Sequence, residues 1–87
     1  MEPKKGMPAI SKAGHDKTGW YITLNIEGNH ALLVNGKNRT MDYPKKKKLK
    51  HLQFVNEVPD ILQEKLKTGV PWTNEEIKRA LKLAKQD

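Results

Sequence analysis

Trp20-Tyr21-Ile22-Thr23-Leu24-Asn25-Ile26 is the stretch of sequence that decides the fold. Apolar and polar side chains alternate along it, which is the pattern of a strand with one buried face. The side chains predicted to share one face are those of Trp20, Ile22, Leu24 and Ile26, with Tyr21, Thr23 and Asn25 on the other face. The turn residues Glu27-Gly28-Asn29 follow, and His30–Val34 is predicted to return as a second, more buried strand.

Three further short strands are predicted around this hairpin. Pro8–Ser11 precedes it as a strand start or edge, because proline cannot donate to a ladder. Asn35-Gly36 tolerates positive φ and predicts a tight hairpin turn, after which Arg39–Tyr43 would return as a strand. Leu49–Phe54 would close the sheet, with Leu49 in the core. Five short strands joined by tight turns predict a small closed barrel over residues 1–54.

The spacing of apolar residues becomes helical after this point, so the fold class is mainly β with a C-terminal helical hairpin. Asn56–Leu66 is predicted as a short helix with Pro59 in its first turn. Thr73 and Glu76 form a Thr-x-x-Glu capping box, with Trp72 predicted to pack on Ile77 as a hydrophobic staple. A second helix is therefore predicted over residues 74–85. Residues 55–87 form a helical appendage.

Length and composition exclude several classes of protein. The chain has 87 residues, of which 36% are hydrophobic, so one small domain with a small core is expected. It has no cysteine, which excludes disulfides and thiolate chemistry. No apolar run reaches the roughly 18 residues that span a membrane, and the N-terminus lacks the apolar segment of a signal peptide. A cytoplasmic location and no membrane partner are expected.

Positive charge is concentrated in one segment, Pro44-Lys45-Lys46-Lys47-Lys48-Leu49-Lys50-His51. The formal net charge is +7, and residues 44–53 hold five lysines and no acid. Scattered charge would serve solubility, so charge this localised predicts a polyanionic partner. Four or five lysine–phosphate contacts would give a slope of log K against log salt of about −3 to −4.

Several phrases of residues 6–54 carry a resemblance to a known family. They are Ser11-Lys12-Ala13-Gly14-His15-Asp16-Lys17, the strand Trp20–Ile26, Leu33-Val34-Asn35-Gly36-Lys37-Asn38-Arg39, and Pro44 to Leu52. In this order and spacing they resemble bacterial KOW-domain RNA-binding proteins, which are relatives of large-subunit ribosomal proteins. The resemblance implies an SH3-like barrel of KOW type, no catalysis, and binding to structured RNA, with ribosomal RNA as the expected partner. One departure is Thr18, which stands between Lys17 and Gly19 where the family has glycine directly.

Basic residues of three segments are the candidate RNA contacts. They are Lys12, His15 and Lys17 in the first loop, Lys37 and Arg39 after Asn35-Gly36, and Lys45, Lys46, Lys47, Lys48, Lys50 and His51 in and after the lysine run. Lysines supply affinity and position, and Arg39 is best suited to a planar fork on phosphate or guanine. The alternative is surface ion pairing, Arg39 with Asp42 or Lys17 with Asp16. Tyr21 and Tyr43 are candidate stacking residues, whereas both tryptophans are expected in the core.

Catalytic and metal chemistry find no support in the sequence. His15, His30 and His51 match no zinc-binding spacing and have no flanking nucleophile and acid. No cofactor motif is present, so no enzyme activity is expected. The basic residues of the second helix follow its acids, as the helix dipole favours. Two other functions stay open: a module that docks on ribosomal or other proteins through the helices, and a duplex DNA-binding protein.

Overall fold

The structure is a computed structural model that describes residues 2–86. Its elements along the chain are β1 (Pro8–Ser11), β2 (Trp20–Glu27), β3 (His30–Val34), β4 (Lys45–Lys48), a 3₁₀ turn (Leu49–His51), β5 (Leu52–Phe54), α1 (Asp60–Thr68) and α2 (Asn74–Lys85). The strands pair antiparallel in one sheet with the order β4-β3-β2-β1-β5. The protein is a small mixed domain with its helices at the C-terminal end.

The sheet is not closed, so the prediction of a closed barrel is wrong. Among the described residues, β4 pairs with β3 and β5 pairs with β1, and no ladder joins β4 to β5. These two strands are short and follow each other across the 3₁₀ turn. Much of the core is completed by the helices instead of a second wall of strands, because one face of the sheet packs against α1 and α2.

Two apolar clusters hold the domain together. The first joins the sheet to the helices and consists of Ile22, Val34, Leu62, Trp72, Ile77, Ala80 and Leu81, with Trp20 packed at its side. The second lies within the sheet and consists of Ala9, Tyr21, Ala31, Leu33 and Leu52, with Leu49 packed against it. The expectation of a core position is confirmed for Trp72, while Trp20 and Leu49 are partly buried at the side of the two clusters.

A bulge in β2 changes which residues share a face. The register with β3 shifts between Thr23 and Asn25, leaving Leu24 as the extra residue. An extra residue reverses the alternation beyond it, so Ile26 packs against the second cluster, whereas Leu24 packs against the first. The prediction that all four apolar side chains of the strand share one face is therefore wrong at Ile26.

The segment between β3 and β4 is a loop, and the predicted strand Arg39–Tyr43 is wrong. Asn35 Oδ1 accepts hydrogen bonds from the backbone N–H groups of Lys37 at 2.9 Å and Arg39 at 3.0 Å. Asn35 N–H in turn donates to the Arg39 carbonyl at 2.8 Å. This closes a wide turn in place of a two-residue hairpin. The side chain of an asparagine that competes for backbone donors in this way favours a turn over a ladder.

Glycine is required at position 36 because the loop lies against the start of α2. Gly36 has φ +78°, and a Cβ there would lie 2.5 Å from the Asn74 carbonyl oxygen. Asn74 Oδ1 also accepts the backbone N–H of Met41 at 3.1 Å. The loop is thus fixed to the first turn of the helix.

The helices agree with the sequence pattern in part. α2 spans the predicted residues, and Thr73 and Glu76 form both bonds of the capping box. α1 begins at Asp60 instead of residue 56, because Pro59 is the N-cap, outside the first turn. The predicted closing strand is also shorter, since Leu49–His51 is a 3₁₀ turn and only Leu52–Phe54 pairs with β1.

Candidate nucleic-acid interface

The four consecutive lysines form strand β4, and the pleat of the strand divides them into two pairs. Lys45 and Lys47, the inward pair, stand opposite Leu33 and Ala31, which belong to the second cluster. Their side chains are 28% and 12% exposed, respectively. Lys46 and Lys48, the outward pair, are exposed on the other face. The run is therefore two different surfaces rather than one patch.

Both lysines of the inward pair form ion pairs with Asp16 of the first loop. Lys47 Nζ lies 2.9 Å from Asp16 Oδ1 and also donates to the Ala13 carbonyl at 2.9 Å. Lys45 Nζ lies 3.5 Å from Asp16 Oδ2. The Asp16 side chain is 16% exposed, so these contacts are partly shielded from solvent. Part of the positive charge seen in the sequence is neutralised inside the fold.

Two hydroxyl groups complete the Asp16 site. Ser11 Oγ donates to Asp16 Oδ1 at 2.9 Å, and Tyr21 Oη donates to Asp16 Oδ2 at 2.9 Å. Tyr21 is buried at 6% exposure, so the prediction that it is an exposed stacking residue is wrong. Its ring packs in the second cluster while its hydroxyl binds the carboxylate, which is how a buried tyrosine satisfies its polar end.

The Asp16 site shifts the pKa of both acidic groups. Burial raises the pKa of Asp16, but hydrogen bonds from Lys47, Ser11 and Tyr21 and the charge of Lys45 outweigh it and hold the pKa well below the usual value. Burial, and then the bond and charge of Asp16, raise the pKa of Tyr21 to about 12. At neutral pH the site is therefore a carboxylate held by two ammonium groups and two hydroxyls.

The first loop is shaped to present Asp16. Its backbone returns on itself, with the Thr18 N–H bonded to the Ser11 carbonyl at 2.8 Å and the Gly19 N–H bonded to the Asp16 carbonyl at 2.8 Å. Thr18 has φ +72°, a left-handed conformation that favours glycine. Threonine keeps the turn but at a conformational cost.

The remaining residues of the lysine run lie next to the first loop. Lys12 N–H donates to the His51 carbonyl at 2.8 Å, which joins the loop to the 3₁₀ turn. Lys12 and Lys50 are exposed there, and His51 is half-buried. His15 and Lys17 are exposed farther along the same loop. The fold thus brings two of the three predicted basic segments together.

The third segment lies in the loop between β3 and β4, where the charge of Arg39 acts on the Tyr21 hydroxyl. Arg39 stacks on Tyr43 with the guanidinium carbon 4.6 Å from the ring centroid, and Tyr43 is 61% exposed, as predicted. Lys37 faces α2. Neither ion pair weighed as an alternative, Arg39 with Asp42 or Lys17 with Asp16, is among those of the described residues. The role of each predicted residue in RNA binding stays a prediction.

The Asp16 contacts were missed in the sequence because they are not local. Asp16 and Lys47 are separated by 31 positions, and only the sheet order brings them together. The lysine run itself gave a weak signal. If four consecutive lysines form a strand with one buried face, two of them point inward and need an acidic partner. That signal requires the strand to be placed at residues 45–48, which the predicted hairpin did not do.

Comparison with known proteins gives no family for this chain. It matches no family model, and no curated protein matches it. Over residues 2–86, no group of three or more histidine, aspartate or glutamate residues is placed to hold a metal ion. No helix in that range is long and apolar enough to cross a membrane.

Proposed function

We propose that the protein binds structured RNA, ribosomal RNA or the ribosome in particular, as a non-catalytic cytoplasmic protein. The observation that carries this proposal is the outward pair, Lys46 and Lys48, held side by side on a folded strand and followed by exposed Lys50. The nearest acid to the pair is Glu27, whose carboxylate lies 3.9 Å from Lys46 with both side chains about half exposed. Such a contact contributes little and yields readily to a phosphate.

A further group of exposed basic residues lies on the first loop. Lys12 N–H donates to the His51 carbonyl, which places Lys12 beside the 3₁₀ turn that carries Lys50. His15 and Lys17 are exposed farther along the same loop, which contacts the inward pair through Asp16. A surface of lysines at the edge of a rigid sheet suits the phosphate backbone of a folded RNA, with little reading of base sequence. The resemblance of residues 6–54 to KOW-domain proteins of SH3-like fold supports the same function.

Docking on a protein through the helices has less support than RNA binding. Most of the apolar stripes are used within the protein, since Leu62, Ile77, Ala80 and Leu81 are buried in the first cluster, while Leu66 and Leu83 are 39% and 52% exposed. Deletion of residues 56–87 would therefore expose the core instead of removing an independent module. We retain RNA binding alone.

The test measures binding of the full chain to a structured fragment of large-subunit ribosomal RNA in rising salt. The outward-pair variant, Lys46→Gln with Lys48→Gln, is compared with a control that loses the same charge at two other exposed lysines, Lys4→Gln with Lys67→Gln. Each phosphate contact contributes about 0.7–0.9 to the salt slope. The outward-pair variant should lower its magnitude by about 1.5, and the control should leave it unchanged.

Two results would contradict the proposal. One is absence of affinity at low salt, and the other is equal binding by the outward-pair variant and the control. Lysine on an edge strand also prevents pairing with other sheets. An outward-pair variant that binds RNA normally but self-associates would assign that protective role to the lysines instead. Duplex DNA of equal length, bound as tightly as RNA at the same salt, would move the proposal to DNA.

A further inference from the structure

A second basic surface lies between the start of β2 and α2. This α2 groove has a volume of about 510 Å³ and is lined by Trp20, Tyr21, Lys37, Lys78, Lys82 and Lys85. The volume is within the range of sites that hold small organic ligands. Three of its four lysines come from α2, and the fourth comes from the loop that Gly36 fixes to the helix.

The fold explains the arrangement of these lysines only in part. Lys78, Lys82 and Lys85 share one face of α2 through their i, i+4, i+7 spacing, where like charges destabilise a helix. The dipole favours Lys82 and Lys85 in the last turn, whereas Lys78 lies in the second turn and gains nothing from the dipole. The one ion pair of these four among the described residues joins Lys78 to Glu75 at 3.0 Å. Among residues 2–86, no acidic side chain lines the groove.

An aromatic surface lies between the lysines. Trp20 is half-buried, packed on one side against the first cluster and lining the groove on the other. The Tyr21 hydroxyl already donates to Asp16, so Tyr21 lines the groove without offering a free hydrogen-bond donor. An indole beside several ammonium groups is the combination that binds a base by stacking and its phosphates by charge.

We propose that the α2 groove binds one unpaired nucleotide of the RNA, with the base on Trp20 and the adjoining phosphates on Lys37, Lys82 and Lys85. The proposal rests on the proposed RNA binding and specifies it further. The β4 lysines grip the backbone of a folded region, whereas the α2 groove requires a loop or bulge from which a base can be turned outward. The protein would then prefer RNA with an unpaired nucleotide over a fully paired duplex.

The test uses Trp20 as its own reporter. Trp72 is the other tryptophan and is buried, with its indole N–H on the Leu62 carbonyl at 3.0 Å. In a Trp72→Phe protein, a hairpin RNA with an unpaired loop should quench Trp20 fluorescence. A blunt duplex of equal nucleotide count should bind with little quenching. If Trp72→Phe does not fold, 5-fluorotryptophan in the unaltered chain gives one fluorine resonance for each tryptophan, and the Trp20 resonance alone should shift.

Lysine variants separate the groove from the β4 surface. Lys82→Gln with Lys85→Gln removes two phosphate contacts and should weaken binding of the loop RNA about tenfold at low salt, and it should leave duplex affinity within about twofold. The control is again Lys4→Gln with Lys67→Gln. Equal quenching by the loop RNA and the duplex, or an equal loss of affinity for both, would refute nucleotide binding in the α2 groove without refuting RNA binding by the protein. Failure to bind either RNA overturns both proposals.

Discussion

Replacement of Asp16 by asparagine tests whether the first loop holds β4 in place. The change Asp16→Asn keeps the shape of the side chain and removes its charge. The carboxylate accepts from Lys47, Ser11 and Tyr21, each at 2.9 Å. An amide has one acceptor oxygen, so it can replace one side of the carboxylate only. Lys47, 12% exposed, would be left without its counter-charge.

The expected loss of stability is about 3 kcal/mol. A hydrogen bond to a charged group contributes about 1.5–3 kcal/mol, and the substitution removes one such bond and weakens the others. A domain of this size has a free energy of unfolding on the order of 5 kcal/mol. The variant should therefore keep less than half of the stability while remaining folded in the absence of denaturant.

Urea unfolding at neutral pH, followed by circular dichroism and tryptophan fluorescence, measures this loss. The matched control is Asp42→Asn, an exposed acid in the loop before β4, which should change the free energy of unfolding by less than about 0.5 kcal/mol. A cycle with Lys47→Met should show a coupling of about 1–3 kcal/mol between the two positions. A loss below about 1 kcal/mol for Asp16→Asn, or additive effects in the cycle, would refute the reasoning.

Three further predictions concern the same region. Thr18→Gly should stabilise the protein by about 0.5–1 kcal/mol, because Thr18 has φ +72°; a lower urea midpoint would count against a strained turn. Thr23→Val should raise the free energy of unfolding by about 1 kcal/mol, since Thr23 Oγ1 is buried without a partner among the described residues; destabilisation would mean that the hydroxyl is bonded in solution. The third is a pH dependence. The lowered pKa of Asp16 makes its contribution complete above about pH 4, the usual value, and lost as the pH falls further. The raised pKa of Tyr21 makes its contribution complete below pH 10 and lost as the pH approaches about 12. The urea midpoint should fall as the pH drops below about 4, and it should fall less in Asp16→Asn; an equal fall in both proteins would contradict the site. In a Tyr43→Phe protein, the tyrosinate absorbance should rise well above pH 10, and a titration midpoint at pH 10 would contradict the site.

Local signals in the sequence predicted local structure well. The β2–β3 hairpin follows from alternation and a short turn, and α2 follows from the Thr73–Glu76 box. Both signals lie within a few residues of the structure they determine. The Asn35-Gly36 pair led to a wrong prediction, because a two-residue hairpin forms only if the residues that follow it pair with β3. Instead, Asn35 binds the backbone of Lys37 and Arg39 and delays the next strand to Lys45.

The candidate site was less predictable because it depends on contacts between distant segments. The sequence located the positive charge, but the division of the lysines into inward and outward pairs needed the register with β3 and the position of Asp16. Tyr21 was predicted to be exposed on the assumption that one face of the strand meets solvent. Both faces are covered, one by the helices and the other by the second cluster. The α2 groove likewise requires the packing of α2 on the sheet.

The most direct test of the account compares the two lysine pairs of β4 with each other. The inward-pair variant, Lys45→Gln with Lys47→Gln, and the outward-pair variant, Lys46→Gln with Lys48→Gln, lose equal charge from the same four residues. The salt slope of binding to structured ribosomal RNA is measured for each under conditions where both are folded. The account predicts a slope lower in magnitude by about 1.5 for the outward pair and nearly unchanged for the inward pair, which should instead lose stability. Equal reductions for the two pairs would show that the run acts as undivided charge and would contradict the account.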